Sequence, residues 1–183
     1  MSNRDALAEL HREIEECVRC PLYLTRNRAV PGEGPIDAKI MLVGEAPGAA
    51  EDETGRPFVG RSGMLLTRLL KEIGIGREDV FITSVLKSRP PRNRVPNHSE
   101  IDACMPYLMR QLAIINPRVV VLLGGIAVSS LIGPWKISEA HGRFYETEER
   151  LFFITYHPSA VLRSPQLVET MRADFRLLAK ELT

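Results

Sequence analysis

Apolar positions along this chain follow two alternating rhythms, and the alternation predicts a layered α/β fold. Short unbroken apolar runs at Ala38 to Val43, Val80 to Leu86, Val119 to Leu123 and Leu151 to Tyr156 read as strands buried on both faces. Between them the apolar spacing widens to three and four residues. Leu7, Leu10, Ile14 and Cys17 mark an amphipathic helix from Asp5 to Cys17. Met64, Leu65, Leu69, Leu70 and Ile73 mark a second, opening near Ser62 and stopping at Gly74. Ser99 to Ile115, the stretch around Ala127 to Leu131, and Gln166 to Leu182 complete the helical set. Strands alternating with helices predict a mainly parallel sheet of four strands inside a three-layer α/β/α sandwich. No repeat, low-complexity tract or composition break divides residues 1–183, so one domain is expected.

Composition narrows the classes. No apolar run approaches the ~20 residues of a membrane-spanning helix. The first residues lead into a charged amphipathic stretch, so export is not expected and a cytoplasmic protein is. Three cysteines do not make a disulfide framework. A net charge of +1 argues against a protein that coats nucleic acid. Local arrangement tells more: Lys87, Arg89, Arg92 and Arg94 fall within eight residues holding no acid, and Arg163 lies beyond a later turn. Such a rim grips phosphates even on a near-neutral chain, although a solvated arginine-rich loop would look the same.

Two segments about a hundred residues apart carry candidate chemistry. The first runs Gly44-Glu45-Ala46-Pro47-Gly48-Ala49-Ala50-Glu51-Asp52 and continues Gly55-Arg56-Pro57-Phe58-Val59-Gly60-Arg61-Ser62-Gly63; the second is His157-Pro158-Ser159-Ala160-Val161-Leu162-Arg163. Each follows a strand-like run, so both emerge at carboxyl strand ends, where open α/β sheets bind ligands. The first loop lacks the lysine and serine of a P-loop and the glycine pattern of a dinucleotide site, and its acids would repel a triphosphate, so no nucleotide cofactor is expected. Phe58 is either a core plug or a platform for a planar base. His157 is either a core histidine or a reactive one held by the turn behind it. Cys17-x-x-Cys20 is a close pair of the kind found in metal sites, with Cys104 far downstream.

Taken together, these motifs resemble the family 4 uracil-DNA glycosylases, the iron–sulfur type of bacteria and archaea. The resemblance adds Lys87-Ser88-Arg89-Pro90-Pro91-Arg92-Asn93-Arg94 and Cys104-Met105-Pro106-Tyr107-Leu108, and it covers nearly the whole chain. It implies a base-excision repair hydrolase that everts deoxyuridine from DNA, releases uracil and leaves an abasic site. It assigns Glu45, Glu51 and His157 to catalysis, with Glu45 or Glu51 orienting the water and His157 quieting the departing uracil. Gly44, Ala46, Pro47, Gly48, Phe58, Ser84 and His157 would hold the base. Arg89, Arg92, Asn93, Arg94, Ser159, Val161, Leu162 and Arg163 would lie on the DNA. A structural 4Fe–4S cluster would take Cys17, Cys20 and Cys104, with Ser88 where the family's remaining cysteine stands and His98 nearby in sequence. Ser84 stands where the family carries an asparagine, and a hydroxyl cannot match both bonds of an amide. The implied partner is uracil-containing DNA, single- or double-stranded, with the protein a monomer. The alternatives are a uracil-DNA binding protein without turnover, a glycosylase of broader base preference, or a small-molecule nucleotide hydrolase.

Overall fold

The computed structural model describes residues 2–182. Five strands form one sheet: β1 (Ile40–Gly44), β2 (Phe81–Ser84), β3 (Val119–Leu123), β4 (Arg143–Glu146) and β5 (Leu151–Thr155), in the order β2-β1-β3-β5-β4. The four expected strands are all parallel, and each lies within a residue or two of its apolar run. The sheet nevertheless has five strands. The extra one, β4, pairs antiparallel with β5 at the edge. Its sequence Arg-Phe-Tyr-Glu is polar at both ends and no residue in it is fully buried, so it left no apolar run to read.

Alternation along each strand sends side chains to opposite faces. Met41, Val43, Phe81, Val120, Leu122, Phe152 and Ile154 pack on one side. They meet Leu7 of α1 (Asn3–Glu15), Cys104, Leu108 and Leu112 of α4 (His98–Ile115), and Ala127 and Val128 of α5 (Gly125–Leu131). Ile40, Leu42, Ile82, Val119, Val121, Leu123 and Phe153 face the other way. There they meet Leu65, Leu66, Leu69 and Leu70 of α3 (Arg61–Glu72), Val161 of α7 (Pro158–Arg163), and Met171, Phe175 and Leu178 of α8 (Val168–Leu182). This is the expected sandwich. The short helices α2 (Ala49–Thr54) and α6 (Ile137–Ala140) sit in the connections. Among the described residues no helix is long and apolar enough to cross a membrane.

Parallel strands deliver their carboxyl ends to a common rim. Gly44, Ser84, Leu123 and Thr155 end there, and the loops that follow carry the candidate residues. Two glycines permit the close approaches this rim needs. A methyl group on Gly124, whose φ is +91°, would stand 2.8 Å from the His157 Cβ. One on Gly63, inside α3, would stand 1.7 Å from the Phe58 carbonyl oxygen. Gly63→Ala is expected to destabilise the fold by about 3 kcal/mol, because backbone and not a flexible side chain would have to move. A urea unfolding midpoint unchanged from wild type would contradict that.

Candidate active site

At the carboxyl rim lies a cavity of about 370 Å³. Glu45, Ala46, Pro47, Gly48 and Glu51 wall it from the loop after β1, Phe58 and Ser62 from the next segment, and Ser84 from the end of β2. His157, Ser159 and Arg163 close the opposite side, and Asn93, Arg94 and Val95 stand at the basic loop. The Phe58 and His157 rings meet across it, centroids 5.6 Å apart and planes tilted by 35°. Phe58 is only 7% exposed and also belongs to a core cluster, so it is plug and wall at once. Gly44 is not on the wall. It lies behind the ring, where a side chain would come within 2.5 Å of the Phe58 Cζ.

Phe58 has a left-handed backbone, φ +49°, an unfavourable conformation for a bulky residue unless neighbours enforce it. Two groups do so. One Glu51 oxygen accepts from the Val59 N–H at 2.8 Å and the Gly60 N–H at 2.9 Å, and the other accepts from Gly48 at 3.1 Å. Arg77 donates to the Pro57 and Phe58 carbonyls while paired to Glu33. Glu51, expected to handle water, therefore has its carboxylate committed to three backbone donors. Gly48, expected to offer its amide to a base, already donates it to Glu51.

His157 is the N-cap of α7. The Ser159 backbone N–H donates to Nδ1 at 3.1 Å, and the Ser159 hydroxyl lies 2.8 Å from the same atom. Nδ1 must therefore present a lone pair, which places the proton of the neutral ring on Nε2. Burial, reinforced by the Arg163 charge against a smaller opposing pull from Glu51, depresses the ring to about 4. At neutral pH His157 is a neutral hydrogen-bond donor at Nε2. Glu45 shows the opposite behaviour: desolvation raises its carboxyl above the usual range, with Arg163 easing it. Its carboxylate takes no hydrogen bond from the described residues. Ser84 is buried on the wall, and its carbonyl is held by the Lys87 ammonium at 2.7 Å.

The basic loop is exposed from Pro91 to Val95 and partly self-bound, whereas Lys87, expected on the rim, is 2% exposed and turns inward, where Thr83, the Ser84 carbonyl and Gln111 hold its ammonium. Arg92 and Asn93 both have φ +56°. Arg89 donates to the Asn93 side chain at 2.7 Å, and Arg94 makes a two-pronged pair with buried Glu100. Leu162 is 38% exposed and Arg163 is exposed, as surface contacts require. Val161 is not a surface residue. At 4% exposure it packs with Phe58 and Leu65, because the turn of α7 points it inward.

The cysteines gather away from the cavity, and none lines it. Burial raises the Cys104 thiol, which also feels charge at Cys20 and Cys17 and is relieved by the Lys87 backbone N–H. Cys20 is raised chiefly by burial, relieved by the Leu22 N–H and pushed further by Cys17 and Glu100. Among the described residues no three His, Cys, Asp or Glu side chains converge to hold a single metal ion. A cuboidal cluster spreads its ligands over four irons and asks for a wider set. Cys17, Cys20 and Cys104 offer three soft donors toward it. Ser88, 3% exposed, does not: its hydroxyl accepts from Arg26 at 2.9 Å. By donor chemistry the residues supply three of the four thiolates such a cluster asks for, and Ser88 does not supply the fourth.

Sequence reasoning missed Arg77, which belongs to no motif and acts through main-chain carbonyls. It also missed buried Asp52, which holds Asn27 through its N–H and side-chain amide at 2.9 and 2.8 Å. Asp52 stood in the acidic loop, where only a long-range contact could distinguish it from its solvated neighbours.

Known proteins resemble this chain over most of its length. The family model described as the uracil DNA glycosylase superfamily matches residues 31–183. A type-4 uracil-DNA glycosylase of Pyrobaculum aerophilum is 46% identical over 180 residues, covering 93% of this chain and 92% of that protein. One from Thermotoga maritima is 47% identical over 168 residues, covering 90% and 88%. One from Archaeoglobus fulgidus is 44% identical over 185 residues, covering 96% and 93%. A match spanning five-sixths of the sequence, with relatives aligned almost end to end, makes this chain a member of the uracil DNA glycosylase superfamily.

Proposed function

We propose that this protein hydrolyses the N-glycosidic bond of deoxyuridine in DNA, releasing uracil and leaving an abasic site. The observation that carries the reading is one cavity shared by an aromatic face, a neutral imidazole donor and an unengaged carboxylate. The glycosidic bond is unreachable inside a stacked duplex, so the nucleotide must be everted into a pocket. Phe58 supplies the flat surface. As the bond breaks, electrons move onto the uracil ring, and the His157 Nε2–H donates to the oxygen that gains charge. A neutral donor suits that anion because Ser159 fixes its direction in advance and no solvent need reorganise. Glu45, whose carboxylate takes no hydrogen bond from the described residues, holds the attacking water and offsets the positive charge growing on the sugar.

In this reading Glu51 is a positioning residue that holds Phe58 and does not touch the substrate. Arg89, Arg92 and Arg163 meet phosphates, and Leu162 rests against the gap left by the everted nucleotide. Ser84 faces the base edge with a hydroxyl that donates or accepts. Cys17, Cys20 and Cys104 would hold an iron–sulfur cluster with a structural role, tying the loop after α1 to α4. Such a cluster, when bound, crosslinks segments distant in sequence. No step above depends on it.

Uracil release from a synthetic uracil-containing strand tests the reading directly, and a protein that binds the strand without releasing base would refute it. His157→Ala is expected to lower kcat by roughly 10²–10³-fold, as loss of one oxyanion donor does. Phe58→Leu keeps the core filled but removes the flat face, and should raise KM by about 10-fold or more. Glu51→Ala leaves three amides without their acceptor and frees the left-handed turn; it should cost about 3 kcal/mol in urea melts and lower kcat as well. The depressed His157 value also has a consequence for stability. The unfolded ring titrates near 6.5 and the folded one near 4, so the unfolded chain binds more protons between them. His157's contribution is complete above about pH 6.5 and is lost as pH falls toward 4. His157→Asn should therefore show a shallower loss of stability from about pH 7 to about pH 5 than wild type. His11, depressed to about 4 by its own burial, contributes equally to both proteins and cancels. Parallel slopes would contradict the assignment.

A further inference from the structure

Among the described residues, Val95 is the one large apolar side chain that is both strongly exposed, at 65%, and on the wall of the cavity. Exposed valines are ordinary at scattered surface positions, but one fixed at the mouth of a site needs a reason. Val95 is fixed from both directions along the chain. The Arg94 guanidinium, already paired with buried Glu100, also donates to the Val95 carbonyl at 3.1 Å. Glu100 in turn accepts the Asn97 N–H at 2.8 Å, so one carboxylate braces the residues on either side of Val95. Pro96 is buried, and a residue ahead of proline is confined to extended backbone. Upstream, Arg92 and Asn93 turn through left-handed conformations, with the Asn93 and Arg94 amides bonded to the Pro90 and Pro91 carbonyls. A β-branched side chain adds stiffness of its own. The loop therefore presents a rigid apolar knob and leaves most of it uncovered.

Everting a nucleotide opens a gap in the stack, and apolar side chains set against the neighbouring bases offset the lost stacking. Leu162, 38% exposed, approaches that gap from α7. Val95 comes from a different element, the loop between β2 and α4. Its surroundings suit the same strand. Arg92 is exposed close by in the chain, and Arg89 reaches Asn93 through Nε alone. Arg94 is turned to Glu100 instead, which makes it a brace for the knob.

We propose that Val95 is a second wedge, packing against a base that flanks the everted deoxyuridine while Arg94 and Glu100 hold it in place. The inference rests on the glycosylase reading above and adds a contact to the strand outside the base pocket. Val95 makes and breaks no bond. It acts by making the everted state easier to reach.

The test uses the full chain and a duplex with one U·A pair, 2-aminopurine standing next to the uracil. That base brightens when it loses a stacking neighbour, so it reports eversion and insertion without needing turnover. Val95→Ala is expected to brighten it less than wild type and to lower kcat/KM on the duplex roughly 5–10-fold. On a short single strand, where less stacking is lost, the drop should be smaller. Val95→Leu restores an apolar knob and should recover most of the duplex rate. The salt dependence of binding should stay the same in both variants, since no cation is removed. Equal brightening and equal duplex rates in wild type and Val95→Ala would overturn the proposal. So would equal losses on duplex and single strand, which would make Val95 a prop of the pocket. A wild type that brightens the probe more than Val95→Ala does, yet releases no uracil, would remove the glycosylase reading and leave the contact standing.

Discussion

One carboxylate organises this active site. Glu51 bonds the Gly48 amide at the start of α2 and the Gly60 amide at the start of α3, with Val59 between them. Both N-cap positions are glycines without a capping side chain, so Glu51 caps two helices from a single residue. Helix N-termini favour negative charge, and two of them converge on this group. The same bonds hold Phe58 in a backbone conformation that its side chain disfavours. Without Glu51, the aromatic wall, the loop after β1 and the start of α3 would lose their common anchor.

The remaining ionisable groups divide by environment. Glu51 is surrounded by donors and stays bound to the backbone. Glu45, six residues earlier, takes no hydrogen bond on its carboxylate from the described residues and is desolvated, with Arg163 easing it. His157 is kept neutral by burial and oriented by Ser159. Behind the wall, fully buried Lys87 binds Thr83, the Ser84 carbonyl and Gln111, all within 2.7 Å. Burial depresses its ammonium to about 7, and the surrounding oxygens satisfy it. Gln111 in turn donates to the Pro31 carbonyl at 2.7 Å, so the end of β2, α4 and the chain before β1 meet at one polar knot.

The interior strands were legible in the sequence because burial on both faces leaves nothing polar in them, as in Val119 to Leu123. β4 was not, since an edge strand with one face near solvent keeps arginine and glutamate. His157 and Phe58 could be located by their places after strand ends and by resemblance, and the fold brings them together. The functions of individual acids were harder to assign. Glu45, Glu51 and Asp52 lie within eight residues, and only their partners distinguish a free carboxylate, a double cap and a buried clamp on Asn27. Val161 was misplaced because a motif gives order along the chain but not which side of a short helix faces inward. Arg77 and Arg26 act through carbonyls and a hydroxyl contributed by distant segments, and no spacing along the chain records such contacts.

The sheet also ends deliberately on both sides. Beyond β2, the Glu33 main chain exchanges both hydrogen bonds with Ile82, and the Val30 amide donates to the Lys87 carbonyl at 2.8 Å. On the other flank β4 is four residues long and bears Arg143 and Glu146 at its ends. Neither margin offers a long row of vacant peptide groups for a passing strand to zip onto. A protein terminated in this way can be concentrated on a crowded polymer without copies of itself fusing edge to edge.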